Sequence, residues 1–254
     1  MICLPIPFLF WIAKEGLQAD DISSFCKAVM EYRTFNSPKL AMNIAIISAS
    51  VRIGRNSHRV ALFFKNYIEK NKCATVDLLD LNEFHFPIFE ERLRNLKNPS
   101  ANVLDFAGRI KKADGVIIVT PEYNGGYPAS LKNVIDLLYA EWRRKPIALA
   151  TVSAGAFGGA QVTTSLVFSL WKIGVWLVPA MFPVPKVQEN YTEDGTPVNI
   201  EATEKRARPF IEELLWCVEA SKKMQSQQPP SAKPPEPAVQ NQNPVMTAIN
   251  EGRQ

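Results

Sequence analysis

Short apolar runs alternate along the chain with longer stretches of helical spacing. Residues 43–48 (NIAIIS) and 115–120 (GVIIVT) are continuous apolar runs of strand length, the pattern of strands buried on both faces. Residues 74–79, 146–152 and 175–178 read as three further strands. Residues 57–71 place Val60, Phe63, Phe64, Tyr67 and Ile68 at helical spacing. Residues 129–142 place Leu131, Val134, Ile135, Leu138 and Trp142 on one helical face. Residues 102–112 and 160–173 also read as helices. A last helix carries Phe210, Ile211, Leu214, Leu215 and Val218, and Pro209 predicts a kink or a late start there. Five apolar strands alternating with helices predict an α/β fold with a parallel sheet covered on both faces. Right-handed crossovers leave few topologies, and at this size the flavodoxin-like doubly wound order 2-1-3-4-5 is the natural one.

The ends of the chain depart from this pattern. Residues 1–13 (MICLPIPFLFWIA) are apolar but interrupted by two prolines, too short for a membrane span and without the basic start of a signal peptide. Met42 is therefore expected to be the natural start. On that reading residues 1–41 are a leader outside the fold; a membrane-surface or partner-binding arm is the alternative. From Gln225 the composition turns to Gln, Pro, Ser and Asn, with six prolines in thirty residues. Residues 225–254 are expected to be a disordered tail, which leaves 42–224 as the folded domain.

Composition narrows the function only a little. The 254 residues are 46% hydrophobic and carry a net charge of +4, too weak to argue for nucleic acid. Cys3, Cys26, Cys73 and Cys217 show no metal or redox spacing, and the two histidines, His58 and His85, lie far apart. No metal site is expected, and reduced thiols suit a cytoplasmic protein.

In a doubly wound sheet, ligands bind beyond the carboxyl ends of the strands at the topological switch point, here between strands one and three. Three loops reach that place. The first, residues 48–59, carries Ser50, Arg52, Gly54, Arg55, Asn56 and Ser57 into a helix N-terminus. Its hydroxyls, free backbone N–H groups and helix dipole make an anion site. Ser57 is also a plain helix N-cap candidate, and Arg55 stands open between a phosphate contact and a solvated basic face. There is no G-x-G-x-x-G, although Asp80 ends strand two where a ribose-binding acid would stand, and no G-K-[ST]. A monophosphate fits what remains. The second loop, residues 120–128, holds Pro121, Glu122, Tyr123, Asn124 and Tyr127, which offer stacking surface and hydrogen bonds to a flat aromatic ligand. The third, residues 153–159, offers Ser153, Gly155, Gly158 and Gly159, where backbone can approach a ligand edge closely.

These three loops resemble those of the NADPH-dependent FMN reductase family of flavodoxin-like quinone, azo and chromate reductases. The resemblance runs from Met42 to about Gly195. It rests on Ala49-Ser50-Val51-Arg52 with Asn56-Ser57, on P-E-Y-N-x-x-x-P-x-x-L-K-N-x-I-D, present in full over residues 121–136, and on S-x-G-x-x-G-G over 153–159. Ala49 stands where glycine is usual, and Arg55-Asn56 fills the phosphate loop in an unusual way. The resemblance implies non-covalent FMN. Ser50, Arg52, Asn56 and Ser57 would hold its phosphate, Pro121, Glu122, Tyr123 and Asn124 would flank the isoalloxazine, and Ser153, Gly155 and Gly158 would lie near its pyrimidine edge.

It also implies a homodimer or homotetramer, with residues 124–136 and the following helix at the interface. Leu137, Tyr139 and Trp142 would be buried either there or on the sheet. Hydride would pass from NADPH or NADH through FMN to a quinone, azo compound, free flavin or metal oxyanion, with no side chain required as acid or base. Two other readings stay open: an FMN-binding electron carrier or redox sensor with little NAD(P)H turnover, and a flavin-free scaffold acting through its proline-rich tail.

Overall fold

The computed structural model describes residues 42–227. The expectations for the leader and for the tail beyond Gln227 lie outside them. The elements run β1 (Asn43–Ser48), α1 (Ser57–Lys70), β2 (Thr75–Asp80), α2 (Leu81–Phe84), α3 (Ala101–Lys112), β3 (Gly115–Pro121) and α4 (Ala129–Leu137). They continue with β4 (Pro146–Val152), α5 (Ala160–Lys172), β5 (Trp176–Val184), α6 (Val187–Asn190) and α7 (Ile200–Gln227). Among the described residues the five strands form one parallel sheet in the order β2-β1-β3-β4-β5, the doubly wound topology expected from the apolar runs.

Strand pleating sends alternate side chains to opposite faces. Ile44, Ile46, Ile117 and Val119 point to one face, where α1 and α7 cover them with Val60, Phe63, Phe64, Phe210 and Leu214. Ala45, Ile47, Val116 and Ile118 point to the other, under α3, α4 and α5 with Val103, Phe106, Leu131 and Leu166. Burial on both faces is why these strands read as unbroken apolar runs.

The differences from the sequence reading have local causes. β2 lies one residue later than expected, because Asp80 pairs in register with Ser48 at the end of β1. α4 stops at Leu137, where Leu138 turns extended. Trp142 nevertheless packs in the core from the following turn, so its apolar spacing survives without the helix. Leu137 is buried in the same core, which favours packing on the sheet over an interface for these two side chains. β5 continues well past residue 178 through a register shift against β4. It is an edge strand, where prolines are tolerated, and Pro179 falls at the register shift. α7 begins at Ile200 with Pro209 inside it, not late, and runs to Gln227, three residues beyond the expected boundary. No helix of the described residues is long and apolar enough to cross a membrane.

Candidate active site

At the carboxyl edge of the sheet, the loops after β1, β3 and β4 meet around a cavity of about 550 Å³. Ser50, Arg52, Asn56, Ser57, Pro121, Glu122, Tyr123, Ser153 and Gly155 all line it. Nine of the eleven residues proposed from the sequence are thus brought together. The other two, Asn124 and Gly158, shape the walls from behind.

The end of the cavity expected to receive a phosphate is built by α1. Its N-cap Asn56 makes no side-chain capping bond, and no acidic residue stands in the first turn. The positive end of the helix is therefore left for a ligand anion. Ser57 begins the helix with a buried hydroxyl that has no hydrogen-bond partner. Such a group costs free energy unless a ligand satisfies it. The Arg52 guanidinium is exposed at the mouth and makes no hydrogen bond or ion pair among the described residues. Arg55, in contrast, is engaged with the carboxylate of Asp80 and so is neither a solvated cation nor free for a ligand. His58 Nδ1 lies 3.0 Å from Ser48 Oγ, and burial lowers its pKa, partly offset by Asp80.

The second loop is fixed by two local devices. Tyr123 and Gly126 exchange backbone hydrogen bonds of 2.8 and 3.0 Å across Asn124-Gly125, both at positive φ, the signature of a tight type I′ turn. Asn124 is there for its backbone, at the tip of this turn and outside the cavity lining. Tyr123 Oη in turn shares a 2.7 Å hydrogen bond with Ser50 Oγ, which ties the second loop to the first. Glu122 accepts from the backbone N–H groups of Gln161 and Val162 at 2.9 and 3.3 Å. α5 starts at a glycine N-cap with no side chain to offer, so Glu122 caps it from across the cavity. That gives this carboxylate a structural duty. Glu122→Ala is expected to destabilise the protein by about 1 kcal/mol, read as a lowered urea midpoint.

The third loop divides its glycines by role. A Cβ on Gly155 would meet nothing within 4 Å, whereas one on Gly158 would press against Pro183 and the backbone of Val184 and Pro185 at 3.1–3.3 Å. Gly158 also has a positive φ and accepts a 2.7 Å bond from Thr151. It packs the loop onto β5, while Gly155 leaves open space facing the cavity. Ser153 donates to the Gly155 carbonyl at 2.9 Å. Phe157, Val187 and Gln188 also line the cavity and were missed in the sequence. The last two follow β5, whose true end was hidden by its prolines. All parallel strands end on one edge, so the loop after β5 belongs to the site by topology alone.

A doubly wound sheet with an open helix N-terminus and an aromatic-walled cavity at its switch point is the architecture of a flavodoxin-like mononucleotide protein. The NADPH-dependent FMN reductase family matches residues 42–189. An NAD(P)H-dependent FMN reductase of Saccharomyces cerevisiae is 34% identical over 138 residues, covering 49% of this chain and 71% of that protein. A quinone reductase of Escherichia coli is 39% identical over 79 residues, covering 30% of this chain and 42% of that protein. The flavoenzyme NAD(P)H:acceptor oxidoreductase of Paracoccus denitrificans has the same fold, with a TM-score of 0.59 at 24% identity over 71% of this chain and 99% of that one. The chain belongs to the NADPH-dependent FMN reductase family. It is an oxidoreductase that works with FMN and NAD(P)H.

The residues present fit FMN: an uncapped helix start with an orphan hydroxyl suits the phosphate, and the gap at Gly155 suits the edge of a flat ring. Ser57→Ala is expected to weaken FMN by about 1.5 kcal/mol, the loss of one hydrogen bond to a charged group. The apoprotein's thermal midpoint should not fall, because the hydroxyl has no internal partner to lose.

Proposed function

We propose that the protein is a quinone reductase in which FMN lies along the cavity. On this reading the phosphate rests at the start of α1 on Ser50, Arg52, Asn56 and Ser57. The ring lies between Pro121, Glu122 and Tyr123 on one side and Ser153 and Gly155 on the other, with Asn124 and Gly158 shaping those loops. Bound FMN supplies the hydride chemistry between NAD(P)H and the acceptor. The chain supplies position: α1 orients the phosphate, Tyr123 and Phe157 offer aromatic surface, and the loops keep the ring at the cavity mouth.

One observation bears on the class of acceptor. Among the described residues, the one carboxylate lining the cavity, Glu122, is committed to capping α5, and Arg55 to Asp80. No carboxylate or histidine of the described lining is therefore free to act as an acid or base, and the Tyr123 hydroxyl is hydrogen-bonded to Ser50. An acceptor that takes a hydride from the reduced flavin and its proton from water suits such a site. A quinone is flat and apolar enough to share an aromatic-walled cavity, and the similarity to a quinone reductase supports it. Azo compounds, free flavins and metal oxyanions are the other acceptors of this kind. We also propose a cytoplasmic homo-oligomer. Phe168 and Trp171 on α5 support association, being large, exposed and in ring contact at 6.0 Å.

The test is anaerobic. Addition of NADPH should bleach the visible flavin bands of the purified protein, and benzoquinone should restore them with steady turnover. Bands that NADPH leaves unchanged would identify an electron carrier and sink the reductase reading.

A further inference from the structure

Asp80 and Arg55 form a part-buried ion pair whose place in the fold gives it a task. Both carboxylate oxygens of Asp80 meet the two terminal nitrogens of Arg55, a fork-to-fork arrangement with a fixed geometry. The side chains of Arg55 and Asp80 are 17% and 5% exposed. Asp80 is anchored on rigid structure: it ends β2 in register with Ser48 and accepts the Asn82 N–H at 3.0 Å, capping α2. His58 Nδ1 stands 3.6 Å from its other oxygen. Arg55 is anchored on the loop, and its guanidinium also donates to the Ser50 carbonyl at 2.9 Å. The pair thus fastens both ends of the segment 50–55 to the buried end of the edge strand β2. In between stand Arg52 and Gly54, the latter at positive φ with open space around it.

We propose that the Asp80–Arg55 pair holds the first loop in its phosphate-receiving shape before the ligand arrives, and that Arg55 serves FMN binding only as a positioning residue. The inference rests on the reading of the α1 start as the phosphate site. Ordering loop residues costs conformational entropy. A loop already ordered by an internal clamp leaves less of that cost to the binding step. The pair also settles a conflict of charge. A lone carboxylate at Asp80, close behind a phosphate site, would repel the ligand. Matched to Arg55 it is neutralised. The anion is left to the helix start, the hydroxyls and Arg52, the one unpaired cation of the lining among the described residues.

The experiment measures FMN and riboflavin affinities of the full-length apoprotein by flavin fluorescence, for wild type, Asp80→Asn, Arg55→Leu, Arg55→Lys and the double variant Asp80→Asn/Arg55→Leu. Wild type should bind FMN tighter than riboflavin, which lacks the phosphate. Each single variant should lose about ten-fold in FMN affinity while riboflavin affinity holds. Arg55→Lys, which keeps the charge without the fork, should lose less. The double variant should be no worse than the singles, since both remove the same clamp. Amide exchange over residues 51–56 should accelerate in the apoprotein of each variant, a readout independent of any flavin.

Tighter FMN binding by Asp80→Asn would show a merely repulsive carboxylate and overturn the proposal. Additive losses in the double variant would overturn it too, making Arg55 a direct phosphate ligand. Equal loss of FMN and riboflavin would mean a general structural role and equally end it. Wild type that fails to prefer FMN would instead overturn the phosphate-site reading on which the proposal stands.

Discussion

Phe64→Ala is expected to destabilise the protein by about 3–5 kcal/mol, the cost of emptying a phenylalanine site in a close-packed core. Phe64 is fully buried on α1. Its ring lies 5.2 Å from Phe63, 5.0 Å from Phe182 on β5 and 5.2 Å from Phe210 on α7. One side chain therefore joins the helix that opens the phosphate site to the edge strand and to the long last helix. The cavity left behind would face three aromatic rings that cannot easily collapse together, which places the loss toward the upper end of the range. Urea denaturation of the apoprotein is the measurement. Trp216→Ala is the control: its ring is 62% exposed, and its loss should stay within about 0.5 kcal/mol. Equal effects from the two substitutions would mean that the aromatic cluster is not the joint between α1 and α7. Because α1 carries Ser57 at its start, Phe64→Ala should also weaken FMN, whereas Trp216→Ala should not.

The reason Phe64 was legible in the sequence is the same reason it matters. Val60, Phe63, Phe64, Tyr67 and Ile68 recur at the helical period because one face of α1 is wholly given to the core. The sheet was legible in the same way. Strands buried on both faces must be apolar throughout, and runs such as GVIIVT have no other economical use between two amphipathic helices. Element ends were less legible because their causes are not local. α4 stops at Leu137 with no proline or glycine to announce it, and Trp142 keeps its apolar position from a turn. β5 looked short because prolines ordinarily end strands, and only its place at the sheet edge permits them.

The site was legible as far as loop composition could carry it. Topology alone brings residues 50–57, 121–123 and 153–155 to one edge of the sheet, so finding them together needed only the strand order. What composition could not say was which of those residues face inward. Gly155 and Gly158 look alike in a sequence. One faces open space and the other is pressed against β5, a distinction set by a strand that pairs beside the loop. Asn124 resembles a ligand-binding amide, yet its backbone makes the turn. Glu122 reads as a group beside the ring until the bare N-terminus of α5 is seen within its reach. Arg55 is the plainest case. Its partner Asp80 lies twenty-five residues away, and nothing in either local stretch announces the pair.

The separation of Arg55 from Arg52 leads to the largest functional effect expected at the site. Arg52→Ala should weaken FMN by about 1.5–3 kcal/mol, the range for a hydrogen bond to a charged group. That is roughly a ten- to hundred-and-fifty-fold rise in Kd. Arg52 lines the cavity and lies only a few residues before the open start of α1. Its guanidinium has no internal partner among the described residues, so its removal leaves no buried group unsatisfied and the apoprotein's urea midpoint should hold. Arg52→Lys should retain part of the affinity, since a point charge keeps the attraction but not the two-pronged geometry. Riboflavin, without a phosphate, should bind wild type and Arg52→Ala alike. Raising the ionic strength should narrow the gap between wild type and variant, because the mouth of the cavity is open to solvent and its charges are screened. FMN affinity unchanged in Arg52→Ala would remove this side chain from the phosphate site and leave anion binding to the helix start and its hydroxyls. A loss shared equally by riboflavin would place Arg52 against the ring instead, at the opposite end of the cavity from the phosphate.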